Sequence, residues 1–501
     1  MSGHSPAPAG SGTGAGTGTT VRPRGRFDRF FHITERGSTV SREVRGGLAT
    51  FFAMSYIVVL NPLILAGPDS AGTMLGIPRV AAVTALVAGI MTLLMGLWAR
   101  YPFAIATGLG VNALVSITVA THPGMTWPDM MGLVVLAGLA MLILVATGFR
   151  EAVFRAVPEG LKTAIVVGIG LFIALIGLVN AGFVRRVPDA AGTTVPVGLG
   201  FDGKLVGWPT LVFLFGLALT IALVVRKVRG AILIGIIAAT VLANILEAVF
   251  HIGPTFLGPD TPPNQQGWSL VVPSMPAWSA PDLSLIGNVS LFGSFAHLGG
   301  VSALLLAFVI LLSIFFDAMG TMVGLGNEAG LTDERGNLPR VNRVLMVDAL
   351  GAVAGGGASV SSNQIFVESG AGIGEGARTG FANVVTGVLF LLAMFLTPLI
   401  YLVPFEAVAP ALVVVGFMMA SQVGRIDWTD VGIALPAFLT FALMPFTYSI
   451  ANGLGAGFVT YTLIRLVQGR GRDVHPLMYV VAGAFVLFFA VGAIQQVAGI
   501  S

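Results

Sequence analysis

The chain has 501 residues, 55% of them hydrophobic without counting glycine and only 10% charged, and its mean hydropathy is +0.91. A water-facing surface needs roughly a quarter of the residues charged, so this composition excludes a string of soluble domains and assigns the chain to a bilayer. Net charge is +3, which in a membrane protein reports topology and not a nucleic-acid partner, and Cys 0 excludes disulfides, thiolate metal sites and cysteine nucleophiles.

Residues 1–25 are a Gly/Ser/Thr/Pro/Ala tract with no apolar run, which reads as a disordered tail without the hydrophobic core of a cleavable signal. Phe27, Phe30 and Phe31 then interleave with Arg26, Arg29 and Arg36, the pattern of a short interfacial stretch. A span needs about 20 residues to cross ~30 Å of hydrocarbon. Apolar segments follow at 47–66, 79–98, 104–119, 129–149, 162–182, 209–226 and 231–250. After a polar loop over 251–298 come 299–323, 343–356, 361–374, 380–402, 407–423, 430–449 and 451–467, with a final apolar run at 476–498. The segments at 104–119, 343–356 and 361–374 are too short or too glycine-rich to be plain spanning helices. The final run leaves two readings open, a fifteenth span or an interfacial helix.

Positive charge tests the count. With the Arg-rich tail in the cytoplasm, alternate loops are basic, and only Arg79, Arg185, Arg186 and Lys204 fall on the other side. Fourteen segments therefore divide seven and seven. Seven is odd, so two related halves must lie inverted, and Val134–Val179 indeed echoes Val384–Val423 weakly. Inverted repeats with broken segments at matching places mark a secondary transporter whose site lies at the bilayer midplane. The matching places are 104–119 and 361–374.

A carboxylate inside a span costs several kcal/mol unless it is paired, hydrated or protonated. Asp317 lies in mid-segment within Phe315-Phe316-Asp317-Ala318-Met319-Gly320-Thr321, and Thr321, four residues on, shares its helical face. The competing reading is an acid that accepts a hydrogen bond from a neighbouring helix. Glu368 sits in Ser361-Ser362-Asn363-Gln364-Ile365-Phe366-Val367-Glu368-Ser369-Gly370-Ala371-Gly372, a stretch too polar for lipid. It reads as a short strand entering a half-helix whose free N–H groups, at Gly370 and its neighbours, face a ligand. The alternative is that Glu368 only caps that half-helix. Asn112, in Gly108-Leu109-Gly110-Val111-Asn112, offers a donor and an acceptor at the matching place, or serves only helix contact. Asp348 is a second proton carrier or, as we read it, a structural partner, with Arg343 the nearest candidate.

No Arg or Lys falls near the middle of a span, so the site suits a neutral or protonated ligand and opposes an anion. Carboxylates accept N–H donors such as the edge of a nitrogen heterocycle presents. Burial favours the protonated form of an acid, which supplies a coupling proton. There is no G-x-x-x-x-G-K-[ST] phosphate loop and no H-E-x-x-H, so the sequence indicates neither ATP-driven transport, nor an enzyme, nor a cofactor or metal site.

At these residues the chain resembles the xanthine/uracil permease superfamily, the nucleobase–cation symporter family 2, and within it the AzgA-like adenine/guanine/hypoxanthine permeases. The resemblance is carried by FFAMSYIVVLNPLIL (51–65), GLGVNALV (108–115), FFDAMGTMVGL (315–325), AGLTDERGNLPRVNRVLMVDALGAVAG (329–355) and VESGAGIGEGARTG (367–380), most of the chain in the family's order. It implies an all-α polytopic membrane protein with fourteen segments in 7+7 inverted repeats, core and gate domains, and short strands in segments 3 and 10. It also implies import of a purine nucleobase coupled to a proton in preference to sodium, by an elevator-like movement, in the cytoplasmic membrane. Substrate-contacting positions implied by it are Asp317, Glu368 and Asn112, with Phe366 stacking on the ring, and family members commonly pair through the gate. The expected division is a tail (1–45), core (46–160 and 299–405), gate (161–250 and 406–470), an extracellular loop (251–298) and a C-terminal segment (471–501). Two departures border the site: Ser361-Ser362-Asn363-Gln364 replaces a Thr-rich approach, and Leu114-Val115 replaces an aromatic pair. The alternatives are a pyrimidine or xanthine permease of the same superfamily, or an anion exchanger or channel of the same architecture.

Overall fold

The computed structural model describes residues 25–148, 156–186, 197–201, 203–228, 230–255, 264–269, 271–275, 279–332 and 338–498. The tail before residue 25 and the basic residues Arg150, Arg155, Arg229 and Arg335 lie outside them. The described helices occupy the places of all fourteen segments, and eight of them are long and apolar enough to cross a membrane.

A short helix α1 (Arg26–Phe31) precedes segment 1, which is divided into α2 (Val40–Met54) and α3 (Ile57–Ile64). Segment 2 is α4 (Ile77–Leu94), closed by a π turn over Met95–Ala99. Segment 3 is β1 (Ile105–Thr107) followed by α5 (Leu109–Thr121). Segments 4 and 5 are α6 (Trp127–Ala146) and α7 (Glu159–Asn180); a hairpin of β2 (Val184–Arg186) and β3 (Val197–Leu199) leads to segments 6 and 7, α8 (Trp208–Val225) and α9 (Ala231–Phe250). In the second half, α10 (Gly293–Leu298) opens onto segment 8, α11 (Gly300–Glu328), and segment 9 is α12 (Val341–Gly357). Segment 10 is β4 (Asn363–Ile365) and α13 (Ser369–Gly374), segment 11 is α14 (Gly380–Ala393), and segments 12 to 14 are α15 (Phe405–Ala420), α16 (Val431–Phe446) and α17 (Ile450–Val467).

The packing repeats across the halves. α4 packs on α14 and α6 on α12, which pairs segment 2 with 11 and segment 4 with 9. In the same way α8 packs on α15 and α16 on α7, and α8 on α9 as α16 on α17. Each contact is the partner of the other under a two-fold exchange of the halves. At the centre of the α7–α15 contact two glycines face each other. A Cβ at Gly416 would stand 2.4 Å from the Gly170 carbonyl oxygen, and one at Gly170 2.6 Å from that of Gly416. Helices without a hydrophobic force between them associate through such close backbone approach.

The ends of segments 1, 2, 10 and 11 that lie beside α1 are laced together. Phe27 and Phe31 pack on Phe381 of α14, with ring centroids 4.9 Å and 5.4 Å from it. Arg36 donates to the carbonyls of Arg100 and Arg378, at 2.7 Å and 3.0 Å. Glu43, fully buried in α2, accepts from the N–H groups of Arg378, Thr379 and Ala382, so a carboxylate from segment 1 satisfies the entry to α14.

The C-terminal run forms one continuous helix, α18 (Pro476–Ala498), of 23 residues. At 1.5 Å per residue it is about 34 Å long, enough to span. Phe485 on it packs against Phe458 of α17 and Phe308 of α11.

Candidate functional site

Two strands meet where the two inverted halves cross. β1 pairs with β4 antiparallel, with Ile105 opposite Ile365, Ala106 opposite Gln364 and Thr107 opposite Asn363. Extended backbone at membrane depth has no water to satisfy it, so each N–H needs a protein partner. Gly108 N–H donates to Ser362 O and Phe366 N–H to Ala104 O, both at 2.9 Å. The outer edges are closed by side chains from equivalent segments. Thr92 of α4 accepts from Ile105 N–H and donates to Ile105 O, both at 3.0 Å, while Asp348 of α12 accepts from Ile365 N–H at 3.2 Å. Asp348 thus has a structural task, held by the strand edge, while Arg343 reaches the Trp98 carbonyl at 3.4 Å.

Glu368 stands at the corner between β4 and α13. It is the residue before the half-helix, yet its side chain makes no capping bond. Its carboxylate instead accepts from the Tyr56 hydroxyl at 2.5 Å. Tyr56 is fully buried, and its ring lies 6.3 Å from that of Phe366. Ser369 fixes the corner: its hydroxyl donates to Phe366 O at 2.7 Å and accepts from Ala104 N–H at 2.9 Å. Glu368 itself remains partly exposed, between the exposed Val367 and the buried Ser369.

Tyr56 reaches Glu368 because segment 1 is broken there. Between α2 and α3 the helix passes into i→i+3 bonds, Val58 N–H to Ser55 O at 3.1 Å and Val59 N–H to Tyr56 O at 3.0 Å. Pro62 lies inside α3, where its ring and missing N–H disfavour a regular turn before it. A plain span was expected here; the signal for the break was the Asn61-Pro62 pair within an otherwise apolar run.

Asn61 is the second residue the sequence reading passed over. Its amide donates to Thr84 Oγ1 at 2.7 Å and to Val360 O at 3.4 Å, and its oxygen accepts from Asn112 Nδ2 at 2.5 Å. Asn112 therefore makes a helix contact, but its own Oδ1 is buried without a partner. Thr107 donates to Asn363 Oδ1 at 3.0 Å. Gln364, buried on β4, has no partner for either end of its carboxamide.

Three expected residues stand differently. Asp317 lies in α11, but its side chain is outside the described residues, while Thr321 one turn later is partly exposed. Gly370 was expected to offer a free N–H; that N–H is taken by Val367 O at 2.9 Å in a local turn, so the glycine offers room and not a donor. A cavity of about 360 Å³ lies beside the middle of α5, lined by Ile64, Ala113, Ser116, Ile176, Arg185 and Tyr448 among others, and Glu368, Phe366 and Asn112 are not part of its lining. That volume falls in the ligand-pocket range of roughly 300–1,000 Å³.

Fourteen segments in two inverted sets of seven, with crossed strands and a carboxylate at their corner, define a multi-pass membrane transporter. The transmembrane domain of a cyanobacterium bicarbonate transporter, BicA, shares this fold with a TM-score of 0.55 over 83% of this chain and 97% of that one, at 16% identity. The chain belongs to the permease family Xan_ur_permease, which matches residues 41–452. It is 37% identical to the guanine/hypoxanthine permease PbuG of Bacillus subtilis, over 92% of this chain and 98% of that protein. It is 34% identical to the adenine permease AdeP of Escherichia coli, over 93% and 96% respectively. The resemblance drawn from the sequence is borne out.

Proposed function

We propose that the protein imports purine nucleobases of the adenine, guanine and hypoxanthine class across the cytoplasmic membrane, each with a proton. The observation that carries this reading is Glu368, an acceptor-only side chain held by Tyr56 at the crossing of β1 and β4 and still partly open. Such a group takes N–H donors from a neutral ring and repels anions. That separates this site from an anion exchanger, although the fold is shared. The relatives named for adenine and for guanine/hypoxanthine support the same substrate class.

In this reading Phe366 stacks on the ring, Asn112 offers its unpartnered oxygen, and Glu368 and Asp317 carry the proton. One proton moving inward gains about 2.3 kcal/mol per 100 mV, nearly fifty-fold of accumulation. Segments 1–4 and 8–11 (46–160 and 299–405) form the moving core, and segments 5–7 and 12–14 (161–250 and 406–470) the gate, with the N-terminus in the cytoplasm. The laced ends of segments 1, 2, 10 and 11 favour movement of the core as one body, as an elevator requires.

The test is thermal unfolding of the detergent-purified protein with adenine, guanine, hypoxanthine, xanthine, uracil and bicarbonate. A purine at 100 times its Kd is expected to stabilise by about 2.7 kcal/mol. Stabilisation by uracil or bicarbonate alone would overturn the reading.

A further inference from the structure

Gln364 is one of the buried polar residues that the transport scheme above leaves unused, and both ends of its side chain are unpaired. It replaces a threonine-type residue of the family pattern, and it is 1% exposed. Both its Oε1 and its Nε2 are buried without a hydrogen-bond partner. A buried polar atom left unpaired forfeits its hydration without return, and here two are left on one side chain. Side chains alternate along a strand, so Gln364 and Phe366 share one face of β4 and Asn363 and Ile365 the other. The second face is closely packed: Asn363 Oδ1 accepts from Thr107 and a Cβ at Gly355 would stand 3.0 Å from it, although Asn363 Nδ2 is buried without a partner. The first face carries Phe366 beside Tyr56, and Tyr56 leads to Glu368. The opposing strand leaves space for the carboxamide, since position 108 is glycine and a Cβ there would lie 2.8 Å from Gln364 Oε1.

We infer that Gln364 is a specificity-determining residue that reads the six-position edge of the purine with its carboxamide. This rests on the nucleobase reading above. Adenine, guanine and hypoxanthine share an N–H only on the imidazole ring, and that is the donor an acceptor-only Glu368 can take from all three. The six-position edge then falls to Gln364. A carboxamide presents a donor and an acceptor side by side, the complement of an adjacent acceptor and donor on a base. The amino group with its neighbouring ring nitrogen in 6-aminopurines, and the lactam O6 and N1–H in 6-oxopurines, both meet that requirement. Unsubstituted purine has no exocyclic group at this edge and leaves one end of the amide unpaired.

The experiment measures dissociation constants of adenine, guanine, hypoxanthine and unsubstituted purine on the detergent-purified full chain, as wild type, Gln364→Leu and Gln364→Met. Wild type is expected to bind its 6-substituted substrates about 10- to 100-fold more tightly than purine, as one hydrogen bond withheld from a buried group gives. In both variants that ratio falls to within about threefold, because the 6-substituted bases lose two bonds to the amide and purine loses one. Unliganded variants are expected to melt no earlier than wild type, because an unpaired amide has been removed. The methionine variant keeps the side chain's length if leucine disturbs packing. Equal weakening of all four ligands would assign Gln364 a packing role and overturn the inference, as would an unaltered ratio. If wild type binds none of the four, the nucleobase reading itself fails and takes this inference with it. A wild type that binds normally beside unaltered variants rejects the inference alone.

Discussion

Glu368→Gln is the most discriminating single change, because it removes a charge and an acceptor while preserving shape. The Tyr56 hydroxyl now donates to a carboxylate oxygen at 2.5 Å. The amide of the variant still offers it a carbonyl oxygen, so the anchor of the broken segment 1 survives. What is lost there is the difference between a charge-assisted and a neutral bond, about 1 kcal/mol. In a chain of this size that shifts the melting temperature by no more than about 4 °C. The substrate side fares worse. The second oxygen becomes an NH2 group facing a ring N–H, and one charge-assisted bond of about 1.5–3 kcal/mol is forfeited, which weakens binding roughly 10- to 150-fold. The variant also has no group at this position able to take up a proton. The expected outcome is normal membrane abundance, near-normal melting, weak nucleobase binding and no accumulation of labelled purine in cells that lack their own purine permeases. Uptake at the wild-type rate and affinity would remove Glu368 from the site.

Other substitutions separate the site from its scaffold. Tyr56→Phe withdraws the hydroxyl that donates to Glu368 Oε1 and is expected to weaken nucleobase binding about tenfold while the protein still reaches the membrane; unchanged binding would make Tyr56 a packing residue. Gly416→Val drives a branched side chain into the Gly170 backbone, where even a Cβ stands 2.4 Å from the carbonyl oxygen. Overpacking of that kind costs about 1–3 kcal/mol, to be read as earlier melting in detergent, and an unaltered melting curve would refute the close glycine contact. Glu43→Ala leaves the N–H groups of Arg378, Thr379 and Ala382 without their carboxylate, a loss of about 2 kcal/mol or more. Its melting temperature is expected to fall further than that of Glu368→Gln, and the reverse order would contradict the scaffold role.

Much of this architecture was legible because the bilayer permits few alternatives. Segment lengths, the alternation of basic loops and the glycine-rich breaks at 104–119 and 361–374 followed from the cost of exposed backbone in lipid. What escaped was set by contacts far apart in the chain. Tyr56 and Asn61 sit in an apolar run long enough for a plain span, and their partners, Glu368 at the corner after β4 and Asn112 on α5, give them a task. Asp348 shows the converse. The sequence reads it as a structural partner with Arg343 nearest; the structural role holds, but the group it accepts from is the Ile365 N–H on the outer edge of β4. Gly370 looked like a donor from its place at a half-helix, but a six-residue helix closes its first N–H groups in its own turns.

The antiparallel pairing of β1 and β4 explains why the break, the repeat and the site coincide. Two equivalent segments can pair antiparallel at their centres only if the halves they belong to are inverted, so the register Ala106–Gln364 lies at the internal two-fold. A strand there cannot bond to itself as a helix does. Each half must therefore lend the other its carbonyls, and each must close its outer edge from a neighbouring segment, with Thr92 in one half and Asp348 in the other. The symmetry ends at the corner that follows. The first half places Leu109 and Gly110 there, and the second places Val367 and Glu368. A fully repeated corner would set two carboxylates at the crossing, or none; the asymmetry leaves one there, that of Glu368.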